Sequence, residues 1–494
     1  MADTFAQFET LLIESVDDMV YDRELRDDDI SWRILDTMAP IPRGGRATDG
    51  AGQSDANTPE FEASWRMRVQ RAGLITAGQF GEGNLTMMGA DDHLAMGQDV
   101  GQLYPDPTKA ALRSWITVKT LLKVVKGVLP INEDQIDTDL IGNPIEEVAM
   151  EHVEDVLGLL RKYICTNFWS DGSGLVAQVN NSAGYSVTTS PTEVAIDVGT
   201  PFRFEKGQRY IFGSNVAQAN YGSSARTYRT GATSGTTGIA RCVEINEKDR
   251  TVYFEAEPAS GTITLTDNDA IVQHDTVVTT GTTVTAQSLC PNGVESLLVD
   301  SGDFPDTSHT VTDYEALRAQ IAGDESAKVP PNAENMAVLL DQMMAAGITP
   351  PPLWISEQSV QTLYAQAERQ GGAVYPVNQG APYQASGGIS GAVFQHYNYT
   401  PAWLLSSLCR PGAIHGLDPA DWMKWMPIGK AVRWKFKSGS MAGASSIFQP
   451  VMSGTQVTGL AQAPFKTFVQ FGVKTPRAQF RRIGFQNARD VVGT

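Results

Sequence analysis

Cysteine is scarce in this chain. Four residues, Cys165, Cys242, Cys290 and Cys409, are spread over 494 positions, and no two fall within 40 residues of each other. Without a CxxC pair there is no basis for a zinc ribbon or a thioredoxin-type centre, and isolated buried thiols in a reducing compartment are expected. Long apolar runs are missing too: no stretch of about 18 apolar residues occurs, so no membrane-spanning helix is expected. The segment Met1–Met19 has no basic cluster and carries Asp17 and Asp18, so no secretory leader is expected there. The sequons at Asn84 and Asn398 then carry no glycosylation meaning. Charged residues make up 19%, below the usual ~25%, which leaves a surface of Ser, Thr, Asn, Gln and Gly. Positive charge is short overall, at a net −18, and that argues against a protein that condenses nucleic acid.

Motifs for chemistry are equally sparse. There is no GxxxxGK[ST], GxSxG, HExxH or EF-hand loop. Gly172-Ser173-Gly174-Leu175-Val176-Ala177 fits GxGxxA in letters, but it follows a helical pattern instead of opening one, so it lacks phosphate-binding geometry. The six histidines, His93, His152, His274, His309, His396 and His415, show no helix ligand spacing. Asp306-Thr307-Ser308 matches an aspartic-protease triplet but has no second copy to share a proton. Asp91-Asp92-His93 reads as a solvated loop tip. No catalytic, cofactor-binding or metal-ligating residue is assigned, and the expectation is a protein that is not an enzyme and has no cofactor.

What is present is strong local patterning. At about 150 residues per domain the length suggests roughly three domains. Phe5, Phe8, Leu11, Leu12, Val16, Met19 and Val20 recur at helical steps ahead of Asp27-Asp28-Asp29, and 39–59 reads as a linker or extended arm. Phe61, Ala63, Trp65, Met67 and Val69 alternate as one strand face, and 112–128 reads as a second long strand. Between them lie seven glycines from Gly73 to Gly101, and 72–108 holds no Lys or Arg. Such a hairpin cannot bury its own apolar face and is expected to need a partner chain.

Asn143 as N-cap, Pro144 at the first helical position and Glu146 open an amphipathic helix over 143–168, roughly 39 Å long at 1.5 Å per residue. From 180 the pattern turns to β. Ile239, Val243 and Ile245, a turn at Asn246–Arg250, then Val252, Phe254 and Ala256 predict a hairpin within a small β insert at 195–285. A capping box at Thr312 and Glu315, a helix over Asn335–Ala346 ended by Gly347, a strand at Leu353-Trp354-Ile355 and a helix capped by Ser356 predict a mixed α/β lobe. Val393–Tyr399 and Trp403–Leu408 read as strands, and the end of the chain alternates through Val432, Trp434, Phe436, Phe465, Phe468, Phe471 and Val473.

Charge is unevenly distributed. Residues 1–60 hold 14 acidic and 5 basic side chains, and residues 424–494 hold 11 basic and 1 acidic. An acidic arm and a basic tail are expected to meet, within one copy or between copies.

In this order of elements, with Phe202-Arg203-Phe204-Glu205-Lys206-Gly207-Gln208-Arg209-Tyr210 opening a β segment, the sequence resembles the tailed-bacteriophage major capsid proteins of the Hong Kong 97-type fold. The resemblance implies an α+β fold: an N-terminal arm over 1–59, an E-loop hairpin over 60–128 and a peripheral (P) domain over 129–194 with its spine helix at 143–168. The inserted β domain would follow at 195–285, more of the P domain at 286–329, an axial (A) domain at 330–423 and a P-domain β return at 424–494. It also implies self-assembly through hexamers and pentamers into an icosahedral shell around double-stranded DNA held without sequence specificity. A separate scaffolding protein would be needed, because only some 60 residues precede the hairpin. A portal, a decoration protein, a virion location and assembly in a bacterial cytoplasm belong to the same expectation, with no membrane partner. An encapsulin-like nanocompartment, a tail or fibre protein and a modular enzyme stay open as alternatives.

The founding member of that family cross-links an E-loop Lys to a neighbour's Asn, yet 72–108 lacks Lys and Lys109 sits at the hairpin base. A denaturing gel of the assembled protein is therefore expected to show one band at 53.4 kDa; a ladder of multimers would contradict this.

Overall fold

The computed structural model describes residues 31, 34–35, 38–40, 62–70, 77–81, 84–88, 114–121, 123–132, 158–181, 183–214, 226–231, 237–274, 283–284, 290–305, 310–324, 327–370, 394, 399–425, 433–434, 449–453 and 456–487. The amphipathic stretch of 5–20, the cap at Asn143–Glu146, most of the hairpin tip and the Gly371–Gly391 loop lie outside them.

A single strand, Gln456–Val473, organises the central sheet. It pairs antiparallel with Lys123–Asn132 along ten register positions, from Leu460↔Asn132 to Val469↔Lys123, and also with Trp422–Trp425, Arg433–Trp434 and Gln449–Ser453. The short strand Ala39–Pro40 adds in parallel to Trp422–Trp425. Alternation explains the strand's end: Val469, Phe471 and Val473 are fully buried in the main core, against Trp422, Ile164, Phe168 and Trp169. Phe168 meets Trp169, Trp422 and Phe471 edge-on, with ring centroids 4.9–5.7 Å apart.

The intervening positions of the same strand hold the hairpin root. Glu62–Gln70 pairs antiparallel with Ser114–Leu121. Trp65 Nε1 donates to Val473 O at 3.1 Å, and Gln470 Nε2 donates to Thr120 Oγ1 at 2.7 Å. Gly472 lets the Trp65 ring lie close, since a Cβ there would sit 3.0 Å from it. Trp65, Met67, Ile116 and Val118 are buried in the main core. The hairpin root thus buries its apolar face within its own chain; the expectation that the hairpin needs a partner bears on the loop beyond the root, most of which lies outside the described residues. The single strand expected over 112–128 is in fact two: Ser114–Leu121 pairs with the hairpin and Lys123–Asn132 with the central sheet. The change of partner falls between Leu121 and Lys123.

The helix over 158–168 ends against the core with Ile164, Cys165 and Phe168 buried. After it, six strands close a barrel in the order Arg209–Gly213, Ile239–Asn246, Thr251–Ala256, Thr192–Asp197, Leu175–Val179 and Ala270–Gln273. Phe204, Tyr210, Phe212 and Phe254 fill it. Its first and last strands are neighbours, with Gln178 opposite Ala270, so the chain enters and leaves side by side. The barrel strands begin at Leu175, ahead of the 195 expected for the insert. The hairpin at 239–256 forms as the pattern predicts, except that a bulge between Cys242 and Glu244 turns Val243 outward to 38% exposure and points Ala240 and Cys242 inward.

A five-stranded mixed sheet forms the last lobe, in the order Gln320–Ala322, Phe480–Arg482, Ile414–Leu417, Leu353–Ser356 and Ala402–Leu405. Two of these strands come from outside 330–423, so the expected boundary divides one sheet. The helices Ala333–Ala345 and Gln358–Gln370 belong to this lobe. Asn332 caps the first, accepting from Asn335 N at 2.8 Å, so that helix starts ahead of the expected Asn335. Ser356 is the end of a strand and accepts from Trp403 Nε1, so it does not act as the predicted helix cap. The capping box at Thr312 and Glu315 gives only two 3-10 turns, Val311–Asp313 and Glu315–Leu317, because Tyr314 is extended between them. Val393–Tyr399 lies mostly outside the described residues, and the Trp403–Leu408 strand is observed as Ala402–Leu405.

Phe168→Ala is expected to lower the unfolding free energy by about 3–5 kcal/mol, and Val243→Ser, on the bulge, to stay within about 0.5 kcal/mol. Denaturant titration of both variants checks the pair; equal losses would contradict the packing described.

Candidate functional site

Where the helix, the barrel and the lobe meet, two buried arginines, a third that is half-buried, and a buried glutamate, histidine and cysteine lie together. They come from five separate pieces of the chain. Gly293 abuts the end of the helix so closely that a Cβ would lie 2.2 Å from Ser170 O. This contact starts the short helix Val294–Leu297, with Glu295 N donating to Ser170 O at 3.2 Å, and sends the Glu295 side chain into the interior. Thr200 and the 3-10 turn Pro201–Arg203 carry Arg203 across from the barrel. His415 and Arg481 lie opposite each other on paired strands of the lobe. Cys409 and Arg410 belong to the turn before His415.

The geometry is that of a structural junction. Arg203 Nε and Nη2 donate to Leu408 O at 2.9 and 2.7 Å, Nη1 to Val176 O at 3.3 Å and Nη2 to Trp169 O at 3.4 Å. Arg410 Nη1 lies 3.2 Å and Arg481 Nη1 3.9 Å from Glu295 Oε2. Burial alone would raise the Glu295 carboxyl, but Arg410, then Arg481, His415 and Arg203 outweigh it and hold it below the usual range. Burial lowers Arg203, opposed chiefly by Glu295.

Cys409 Sγ lies 3.2 Å from His415 Nδ1, the one nucleophile–base pair that this centre offers. Burial pushes the Cys409 thiol far up and His415 down to about 3. A nucleophilic cysteine needs its thiolate and a base that can take the proton. Both groups are locked neutral here, with Trp169 against the imidazole at 5.2 Å between ring centroids.

A small cleft lies beside this junction, between helix and barrel, lined by Leu159, Lys162, Thr166, Gln208, Tyr210 and Cys290 among others, with a volume of about 90 Å³. Pockets that bury a small-molecule substrate measure roughly 300–1,000 Å³. Lys162, the cation at its rim, is engaged with Glu205 and with Phe204 O.

Of the residues singled out from the sequence, Cys409 and His415 are brought together, in the buried pair just described. Gly172 and Gly174 form a left-handed turn from the helix into the first barrel strand, where Asp171 Oδ1 accepts from Ser173 N at 2.8 Å. The four cysteines are free and buried. His93, His152, His309, His396, Asp91, Asp92 and Asp306 lie outside the described residues. Among the described residues no group of three or more His, Cys, Asp or Glu is arranged to hold a metal, and no helix is long and apolar enough to cross a membrane. Sequence reading missed the ionic junction, because Arg203, Glu295, Arg410 and Arg481 are far apart along the chain.

Removing the carboxylate that Arg410 and Arg481 share should be costly: Glu295→Gln is expected to lose about 3–5 kcal/mol of stability in denaturant titration, and a loss below about 1 kcal/mol would be incompatible with this reading. His415 titrates near 6.5 in the unfolded chain and near about 3 when folded. The unfolded state therefore binds the extra proton first, so this contribution is complete above about pH 6.5 and is lost as pH falls toward about 3. His415→Asn should flatten the decline in unfolding free energy between about pH 6.5 and about pH 4; parallel pH profiles for variant and wild type would refute the assignment.

No protein-family model matches the chain, and no curated protein matches it. Among solved structures it is similar to the capsid asymmetric unit of cyanophage A-1(L), with a TM-score of 0.42 and 9% identity over 87% of this chain and 89% of that one. It is also similar to the holo-SrpI encapsulin complex from Synechococcus elongatus PCC 7942, with a TM-score of 0.30 and 8% identity over 76% of this chain and 78% of that one.

Proposed function

We propose that this chain is a shell-forming structural protein, and specifically the major capsid protein of a tailed bacteriophage, building hexamers and pentamers of an icosahedral container for double-stranded DNA. The observation that carries the reading is the hairpin root. Trp65, Met67, Ile116 and Val118 are fixed in the core, while the sequence beyond them, 72–108, is glycine-rich and free of Lys and Arg. A limb rooted so firmly, with so little of its own to form a core, suits contact with an identical neighbour. The buried junction supports the same reading, since its ionisable groups are spent on holding elements together.

The net charge of −18 fits a shell that does not adhere tightly to its DNA. On this reading the partners are other copies of the chain, a separate scaffolding protein, a portal and a decoration protein. The product is a virion assembled in a bacterial cytoplasm. The acidic residues of 1–60 and the basic residues of 424–494 would supply complementary charge between or within copies.

Expression of the full chain, alone and with the genes that flank its own, followed by electron microscopy and sedimentation, tests this. Closed particles containing DNA are expected when the flanking genes are present. Particles loaded with a protein cargo would make it an encapsulin-like compartment, and a 53.4 kDa monomer under both conditions would end the shell reading. Assembly should also weaken as salt rises to about 1 M, where the screening length is only ~3 Å.

A further inference from the structure

One turn in the lobe holds the rest of the molecule residue by residue. It connects Ala402–Leu405 to Ile414–Leu417. Ser406 Oγ lies 2.8 Å from Ser31 Oγ, and Ser31 Oγ accepts from Trp169 Nε1 at 2.7 Å. Ser407 O accepts from Thr200 Oγ1 at 2.8 Å, and Leu408 O takes two bonds from Arg203, both partners belonging to the barrel's docking turn. Arg410 reaches Glu295. Ser31, Thr200, Arg203 and Ser406 are all buried. Ser406 also fixes the turn internally, accepting from Leu408 N at 3.3 Å.

We propose that the turn 406–410 is a mechanical coupler that ties the seating of the N-terminal root, residues 31–40, to the docking of the barrel. The reason is geometric. Ser406 carries the root, and the next two carbonyls carry the barrel. Planar peptides of fixed length join them, and hydrogen bonds tolerate only a few tenths of an ångström. A root that leaves Ser406 shifts the carbonyls to which Arg203 and Thr200 are bound. A second tie, the half-buried pair Arg250–Glu357, keeps the barrel near the lobe, so the coupling loosens its docking without detaching it. Linkage makes the effect reciprocal: loosening the barrel must also loosen the root. The coupling holds whether or not the chain builds a shell.

Hydrogen–deuterium exchange on the full chain tests it. Leu35→Asp, which unseats the root, should raise exchange about tenfold both over 31–40 and at the Arg203 and Phe204 amides, leaving the hairpin 239–256 unchanged. Arg203→Gln should raise exchange over 31–40 in return. If either variant acts only on its own side of the turn, the coupler does not exist. Should Leu35→Asp fail to fold, Ser31→Ala removes only the hydroxyl and is read in the same way.

Discussion

Burying Arg203 takes a guanidinium out of water at a cost of several kcal/mol, which is recovered only while carbonyls surround it. Those carbonyls belong to Leu408 in the lobe, Trp169 at the helix end and Val176 in the first barrel strand. No single element could supply all three. The guanidinium therefore fixes how helix, barrel and lobe sit together, and Glu295 beside it supplies the negative charge nearest Arg410 and Arg481. Breaking such an arrangement is expensive even where replacing all of it with apolar side chains would cost little. Its value lies in fixing one arrangement of the three parts.

That constraint also explains why a cysteine beside a histidine carries no chemistry here. The distance would serve a nucleophile and base, but desolvation disfavours a charge on either partner. The same dry surroundings that strengthen the Glu295 pairs keep Cys409 and His415 neutral. Position within 3.2 Å is not enough; the pair would need an open, polarised setting to react.

Local features of the fold were legible in the sequence, and long-range ones were not. Alternation through Trp65 and Met67, the hairpin of 239–256, the helix ending near Phe168 and the short strand at Leu353 all follow from patterns within ten residues or so, and the structure has each of them. Two errors came from breaks in period. The bulge at Val243 inserts a residue, so the inward face shifts to Ala240 and Cys242. Between Leu121 and Lys123 the chain changes partners with no Gly or Pro in the sequence to mark it. The lobe sheet was misjudged because Phe480–Arg482, at the far end of the chain, completes it. The ionic junction was invisible for the same reason: its members approach only after folding, and charges so far apart along the chain leave no periodicity.

Magnitudes decide what anchors the N-terminal root. The uneven charge of the chain, acidic over 1–60 and basic over 424–494, suggests electrostatic pairing. An exposed ion pair contributes about 0–1 kcal/mol. At the root itself, Ile34, Leu35 and Met38 are buried in the main core with Trp422 and Met423, and Ala39–Pro40 extends the central sheet beside Met423 and Lys424. Each such apolar side chain contributes roughly 1.5–3 kcal/mol when fully buried, so three of them outweigh several surface pairs. The root is thus held by apolar burial and by the Ser31 hydroxyl, both largely insensitive to salt. Charge complementarity is left to act on the segments beyond it, where screening by salt can tune an association between copies without unseating the root.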